Sequence, residues 1–259
     1  MNKPKVLLID IETAPIIAYV WQIWKVDVGL NQIKSDWHLL SFAAKWLGDS
    51  PNKIIYMDQR NVKNIEDDKK LLKAVWDLLN SADILLTHNG QSFDIKKLNS
   101  RFILHGFQPP ANTKHIDTLR LARKQFGFTS NKLEYLSHKL CTKYKKLEHK
   151  KFPGFSLWKE CLAGNKEAWN EMEKYNKHDI LSLEELYNKL APWDNSINFN
   201  VYHDDIEIVC NCGGKHFQHR GYAFTKIGKY QRYQCQDCGK WTRGRCNEFS
   251  FDKKQTLRV

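Results

Sequence analysis

Five side chains between positions 10 and 179 are of types suited to hydrolytic chemistry, and they fall into three short segments. The first is Asp10-Ile11-Glu12, at the end of the apolar run Val6–Asp10. Two acids one residue apart repel each other, and burying them unpaired is costly. A divalent cation removes that cost, and Mg2+ and Mn2+ prefer oxygen ligands of this kind. Alone, the triplet is more simply a solvated strand end. The second segment is His88-Asn89-Gly90-Gln91-Ser92-Phe93-Asp94, where an apolar strand runs into a glycine turn and then a helix. Asp94 there serves equally well as an ordinary N-cap or as a functional carboxylate. The third is Tyr175-Asn176-Lys177-His178-Asp179, inside a long helical pattern. Tyr175 and Asp179 are four apart and share a helix face. Aspartate is disfavoured in a helix interior, and this one precedes the apolar set Ile180, Leu181 and Leu183. A surface Asp beside a core Tyr is the plainer account, and His178 reads as incidental.

A separate chemistry is signalled near the C-terminus. Cys210-Asn211-Cys212-Gly213-Gly214 and Cys235-Gln236-Asp237-Cys238-Gly239-Lys240 are two cysteine pairs, each followed by glycine. Four thiolates in tetrahedral array suit one structural Zn2+. The first pair is C-x-C where C-x-x-C is commoner, so His216, His219 or Cys246 stand as substitute ligands. Cys141 and Cys161 read as simple thiols.

These groups need elements to position them. Val6–Asp10 and Ile84–Thr87 read as short buried strands, and Leu39–Leu47 with Lys53–Met57 as a hairpin across Gly48–Asn52. Helical spacing marks Glu66–Asn80, Phe93–His105 with Gly106 as C-cap, the start of a helix near Thr118, and Glu167–Leu190. Strands alternating with helices, some of them hairpin-linked, predict an α/β fold with a mixed sheet flanked by helices. The expected domains are residues 1–191, a linker over 192–205, and a small zinc ribbon over 206–259. The 259-residue chain has 42% hydrophobic residues and a net charge of +12. Residues 206–259 hold 11 Lys+Arg against 4 Asp+Glu, so more than half the excess lies there. Such a balance fits a polyanionic partner or a solvated lysine surface about equally. There is no secretory signal pattern and no apolar run long enough to span a bilayer, so the expectation is a cytoplasmic protein without membrane contact.

Taken together, the order and contexts of the three acidic segments resemble the DEDD exonucleases, the DnaQ-like branch of the RNase H fold, over roughly residues 4–190. Asp10 and Glu12 resemble the first motif, Asp94 the second, and Tyr175 with Asp179 the third. Position 174 is Lys and position 175 is Tyr, so the chain resembles the tyrosine (DEDDy) variant. His115-Ile116-Asp117-Thr118-Leu119 and Tyr175-Asn176 are similar to YprB-like exonucleases and to family B polymerase proofreading domains; Asp117 reads mainly as a cap for the helix at Thr118. The resemblance implies a 3′→5′ exonuclease with two Mg2+ or Mn2+ ions held by Asp10, Glu12, Asp94 and Asp179, and a water oriented by Tyr175. It implies nucleic-acid 3′ ends as substrate, with single-stranded DNA favoured over RNA. Asn89, Phe93 and Lys143 are candidate substrate contacts, with Lys145 and Lys146 beside the last; core packing is the plainer role for Phe93. The ribbon resembles those found beside transposases and either binds nucleic acid or docks a protein. Other readings are a non-catalytic nucleic-acid-binding scaffold and a structure-specific endonuclease. With fewer than 70 residues after the resemblance ends, no polymerase domain is expected to follow.

Overall fold

Strand β1 (Val6–Thr13) divides the chain's chemistry between two faces. Successive strand residues point to opposite sides, and Leu7, Ile9 and Ile11 enter one core. Asp10 and Glu12 therefore share the other face. The computed structural model describes residues 4–145, 151–202 and 207–258. In it β1 is followed by a small hairpin of β2 (Ile17–Ala18) and β3 (Ile33–Ser35), then by β4 (Leu39–Trp46) and β5 (Ile55–Asp58). Helix α1 (Lys69–Asn80), β6 (Ile84–Thr87), α2 (Asp94–Leu104), β7 (Lys114–Asp117) and α3 (Thr118–Gln125) come next. Helices α4 (Leu133–Leu140), α5 (Ser156–Leu162) and α6 (Lys166–Leu190) complete this part.

The central sheet has the order β5-β4-β1-β6-β7. The hairpin-linked strands pair antiparallel, and β6 and β7 join parallel to β1. The expected mixed α/β sheet flanked by helices is what forms. Helices α1 and α2 bury Leu71, Leu72, Val75, Leu79, Leu98 and Phe102 against one face. On the other, α5 and the start of α6 pack Leu157, Cys161, Ala168, Trp169 and Met172 on Ala14 and Leu40. Strand β1 does not end at Asp10, where the apolar run stops; it stays paired to β4 through Thr13, with a bulge between Glu12 and Thr13. Both acids thus lie in regular strand, held apart by the pleat and facing one way.

Between β1 and β4 the chain carries an exposed apolar segment that periodicity did not mark. Trp21 is 99% exposed, and Ile23, Trp24 and Leu30 are exposed as well.

One ion pair fixes α6 to the sheet. Lys45 of β4 is fully buried, and its Nζ lies 2.7 Å from Glu184 of α6. Eight residues earlier in α6, Asn176 accepts from the Ser41 hydroxyl at 3.2 Å. Eight helical residues rise about 12 Å, and the four strand residues from Ser41 to Lys45 about 13 Å. The matched lengths mean that α6 runs alongside β4, anchored at both points.

The chain divides into two compact units, one over Lys5–Tyr187 and one from Asn188 onward. In the second, β8 (Phe217–Thr225), β9 (Gly228–Cys235) and β10 (Trp241–Arg243) form a sheet of order β10-β9-β8, followed by α7 (Phe251–Gln255). Part of the stretch read as linker is built into this unit: Asn211 accepts from the Phe199 amide and donates to the Ile197 carbonyl. Residues 203–205 of that stretch lie outside the described residues. No helix among the described residues is long and apolar enough to cross a membrane.

Removing the Glu184 carboxylate leaves the Lys45 ammonium uncompensated. Glu184→Ala should cost about 3–5 kcal/mol in urea unfolding, and Lys45→Met with Glu184→Leu should recover most of it. A loss below 1 kcal/mol for the single variant would contradict this role.

Candidate active site

Asp94 reaches the first acidic pair by way of the backbone between them. It is the first residue of α2, not its N-cap, and its Oδ1 accepts from the amide of Ile11 at 3.2 Å. The loop ahead of it is set by Asp117, whose carboxylate accepts from the amides of Asn89 at 2.8 Å and Gln91 at 3.3 Å. The same carboxylate caps α3 through the Leu119 amide, so the expected cap also organises the turn. Asn89 has φ of +67°, a left-handed conformation that Asn tolerates better than most residues. Gly90 is required by space: a Cβ there would lie 2.3 Å from Thr87 Oγ1.

Helix α6 arrives at the same sheet face. Asn176 is fully buried, and its Nδ2 donates to Asp10 Oδ2 at 2.7 Å. Asp179, one turn on, is 3% exposed and lies on the buried stripe with Met172, Tyr175 and Leu183. A carboxylate thus occupies a place where helix spacing calls for an apolar side chain. Glu12 is met from α5: Trp158 Nε1 donates to its Oε2 at 3.1 Å, and the Trp158 ring meets Tyr175 edge-on at 6.5 Å. Asp10, Glu12, Asp94 and Tyr175 are therefore linked through one neighbourhood by direct or one-residue contacts, and Asp179 lies one helical turn beyond Tyr175 on the same buried stripe of α6.

Burial pushes the Asp94 carboxyl up to about 6, opposed by the Ile11 amide and reinforced by the Asp117 charge. A carboxylate is of the hard-oxygen type that divalent cations take, so the acids gathered here are suited in kind to such an ion.

Beside Glu12 lies an open cavity of about 600 Å3 lined by Pro15, Ile16, Trp37, Lys97, Phe155 and Trp158. The Lys97 ammonium stands 3.7 Å from the Trp37 ring centre and 5.8 Å from that of Phe93. Phe93 is 42% exposed, so the core-packing role does not hold. Lys143 lies in the segment after α4: its amide and those of Thr142 and Tyr144 all donate to Glu185 of α6. These amides hold the Glu185 carboxyl at about 2 against the opposing effect of desolvation. His178 is not incidental to this loop, because its Nε2 donates to the Lys145 carbonyl at 2.6 Å. Lys146 lies outside the described residues.

Residues 29–191 match the family model described as RNase H superfamily. The chain belongs to the RNase H superfamily. The matched stretch includes Asp94, Tyr175 and Asp179 and begins after Asp10 and Glu12. Over 98 residues this RNase H superfamily chain is 31% identical to a PolC-type DNA polymerase III of Ureaplasma parvum serovar 3, a match that covers 38% of the chain. It spans 6% of the length of that polymerase. It is also similar to the structure of a family B DNA polymerase from the archaeon Pyrobaculum calidifontis, with a TM-score of 0.52 and 15% identity. That similarity covers 74% of the chain and 25% of the polymerase, and it concerns the fold alone.

In this superfamily member the second candidate site is the thiolate group. The Sγ atoms of Cys210, Cys212, Cys235 and Cys238 all lie within 4.8 Å of one another. Cys210 and Cys238 are 3.6 Å apart, and Cys212 and Cys235 are 3.8 Å apart. Tetrahedral zinc with Zn–S near 2.3 Å requires sulfur separations of about 3.8 Å, so the four fit one such ion. Gly213 and Gly239, each directly after a cysteine pair, have φ of +88° and +78°. This is the left-handed turn that glycine makes without strain. The C-x-C pair brings both of its sulfurs into the group. His216 instead pairs with Asp237 at 3.1 Å, and among the described residues neither His219 nor Cys246 joins the group.

Sequence reasoning quoted Asn176 within a resemblance but gave it no role, and it missed Trp158, Lys45 and Lys97. An amide in a buried helix stripe and a lone cation in the apolar run Leu39–Leu47 were available signals for two of them. Trp158 and Lys97 had none, since their roles arise only when distant segments pack.

Two outcomes follow. The folded state holds the Asp94 proton more tightly than the unfolded chain, whose carboxyl titrates near 3.9. Stability without divalent ions should therefore fall as pH rises from about 4 through about 6. Asp94→Asn keeps an acceptor for Ile11, so in chelator at pH 7.5 it should melt above the wild type; a lower Tm would contradict the burial argument. Elemental analysis should find about one zinc per chain, lost in Cys235→Ser; a zinc-free chain with an intact second unit would refute the metal assignment.

Proposed function

We propose that the chain is a divalent-metal-dependent 3′→5′ exonuclease of the DEDDy type acting on nucleic-acid ends, with single-stranded DNA the preferred substrate. The reading rests most heavily on one pair of contacts, Asn176 to Asp10 at 2.7 Å and Ile11 to Asp94 at 3.2 Å. They draw three segments far apart in sequence to one end of the β1 face. Family membership and the polymerase relatives support a nuclease activity, and the tyrosine four residues before Asp179 supports the subtype.

Asp10, Glu12, Asp94 and Asp179 would hold the divalent ions, which when bound supply electrostatic stabilisation of the transferring phosphoryl group. The remaining groups position. Asn176 holds Asp10 Oδ2, and the Trp158 indole holds Glu12 Oε2. Such outer contacts fix ligand orientation before an ion arrives. Tyr175 would orient the attacking water; a phenol with an ordinary pKa near 10 is a weak base at neutral pH, so its contribution is geometric. The aromatic cavity beside Glu12 suits a terminal base, because stacking on rings is tolerant of sequence. Lys97 at its edge would meet a phosphate. One structural zinc in the thiolate group is part of the same proposal.

With Mn2+ or Mg2+, 5′-labelled single strands should shorten one nucleotide at a time while closed circular DNA stays intact. Asp10→Ala and Asp179→Ala should remove the activity, and Tyr175→Phe should lower it on the order of 10²-fold. Undiminished digestion by Asp179→Ala, or cutting of the closed circle, would overturn the assignment.

A further inference from the structure

In the second unit, Arg232 of β9 and Arg243 of β10 are register partners. Directly opposed residues of an antiparallel pair project to the same face, and like charges there are destabilising. The ordinary remedy is an interspersed acid. The cleft over this face, about 660 Å3, is lined by Arg232, Lys240, Arg243 and Arg245 and by no Asp or Glu. Lys240 is buried and donates to the Asp194 carbonyl, so the three arginines are the charges facing a ligand.

Each opposed guanidinium is also stacked on a ring. Arg232 lies 5.0 Å from the Trp241 ring centre and Arg243 4.2 Å from that of Tyr230. Stacking limits the freedom of a guanidinium without covering its in-plane N–H groups. Arg232 commits its Nε to the Arg220 carbonyl at 2.9 Å, which fixes it further and leaves the terminal amino groups as the remaining donors to an anion. Trp241 is itself 45% exposed. Polar groups in the wall are already committed: Asn198, Asn200 and Asn211 accept from the amides of Asn200, Val209 and Phe199. They build the cleft and are poorly placed to read a base edge.

We infer that this cleft binds a single-stranded nucleic-acid segment without sequence selection, with phosphates on Arg232, Arg243 and Arg245 and a base on Trp241. Paired arginines explain a polyanion, and the exposed ring beside them favours a nucleic acid over an acidic peptide. The inference deepens the exonuclease reading and rests on it only in taking the bound strand for a substrate.

The test uses the full zinc-loaded chain carrying Asp10→Ala, with anisotropy of a labelled oligothymidylate across a salt series. Arg232→Ala with Arg243→Ala should weaken binding at least tenfold. It should also reduce the slope of log K against log salt by about 1.4, near 0.7 per lost phosphate contact. Trp241→Ala should weaken binding several-fold with the slope unchanged. All of these positions are exposed, and unchanged zinc content reports an intact unit; Arg245→Ala alone provides a milder variant. Unchanged affinity and slope with zinc retained would overturn the inference, and displacement of the strand by polyglutamate at equal charge concentration would reassign the cleft to acidic peptides. Divalent-dependent hydrolysis of a nitrophenyl nucleotide ester by the chain with Asp10 intact is the separate readout. Its absence would sink the exonuclease reading while leaving the binding comparison decisive for the cleft.

Discussion

A regular strand that turns two acids toward the same packed face creates an electrostatic debt that the rest of the Lys5–Tyr187 unit is arranged around. Asp10 and Glu12 cannot turn away, because β1 remains paired to β4 through Thr13 and its other face is filled by Leu7, Ile9 and Ile11. What the chain supplies instead is orientation: an amide from α6 on Asp10, an indole from α5 on Glu12, and a third carboxylate docked on the amide between them. None of these neutralises negative charge. The buried Lys45–Glu184 pair shows that the same fold neutralises a charge when stability alone is at stake. Two acids on one packed strand face are a local rule broken at a candidate site.

The unit from Asn188 onward depends on a different constraint. Strand β8 is largely exposed, and β10 is exposed throughout. So small a unit with so little apolar burial needs a staple, and four sulfurs at tetrahedral separations are one. The four thiols are not alike: burial opposes the ionisation of Cys235, but the amides of Cys238 and Asp237 outweigh it and hold this thiol below its usual range, whereas burial pushes Cys210 up to about 11 and raises Cys212 as well. With a metal bound there, as proposed, the sheet faces of this unit would be free to hold arginines where a hydrophobic core would otherwise be needed.

Much of the first unit was legible in the sequence because its signals are local. Apolar runs gave β1, β4 and β6, spacing of Leu71, Leu72, Val75 and Leu79 gave α1, and Gly106, at φ of +75°, closes α2 as its position suggests. The acids were legible as types at intervals. Their common neighbourhood was not, because it depends on α6 lying along β4, which follows from Ser41, Lys45, Asn176 and Glu184 acting together across more than 130 residues. Helix α5 is only seven residues long and carries no periodic stripe, so Trp158 could not be placed beside Glu12 from pattern alone. Phe93 was misjudged for a related reason. An aromatic residue before a helix is usually a staple into the core, and here the turn set by Asp117 directs it outward.

The neighbourhood of the acids is also asymmetric, and the asymmetry comes from the topology. At Glu12 the walls are rings, Trp158 and beyond it Trp37 and Phe155, with one ammonium at Lys97. At Asp94 the walls are backbone, a turn whose amides are gathered on Asp117 and whose glycine allows Thr87 to approach closely. A strand of nucleic acid is itself asymmetric, presenting a terminal base and sugar at one end of the last phosphodiester and a continuing chain at the other. Rings accept the flat terminus without regard to its sequence, whereas a backbone turn offers no stacking surface. An enzyme with acids between two such walls has a physical basis for working from an end in one direction, without a separate element to measure polarity. On the proposed reading, direction would come from the walls around β1 and retention of the strand from arginines that have no part in the chemistry.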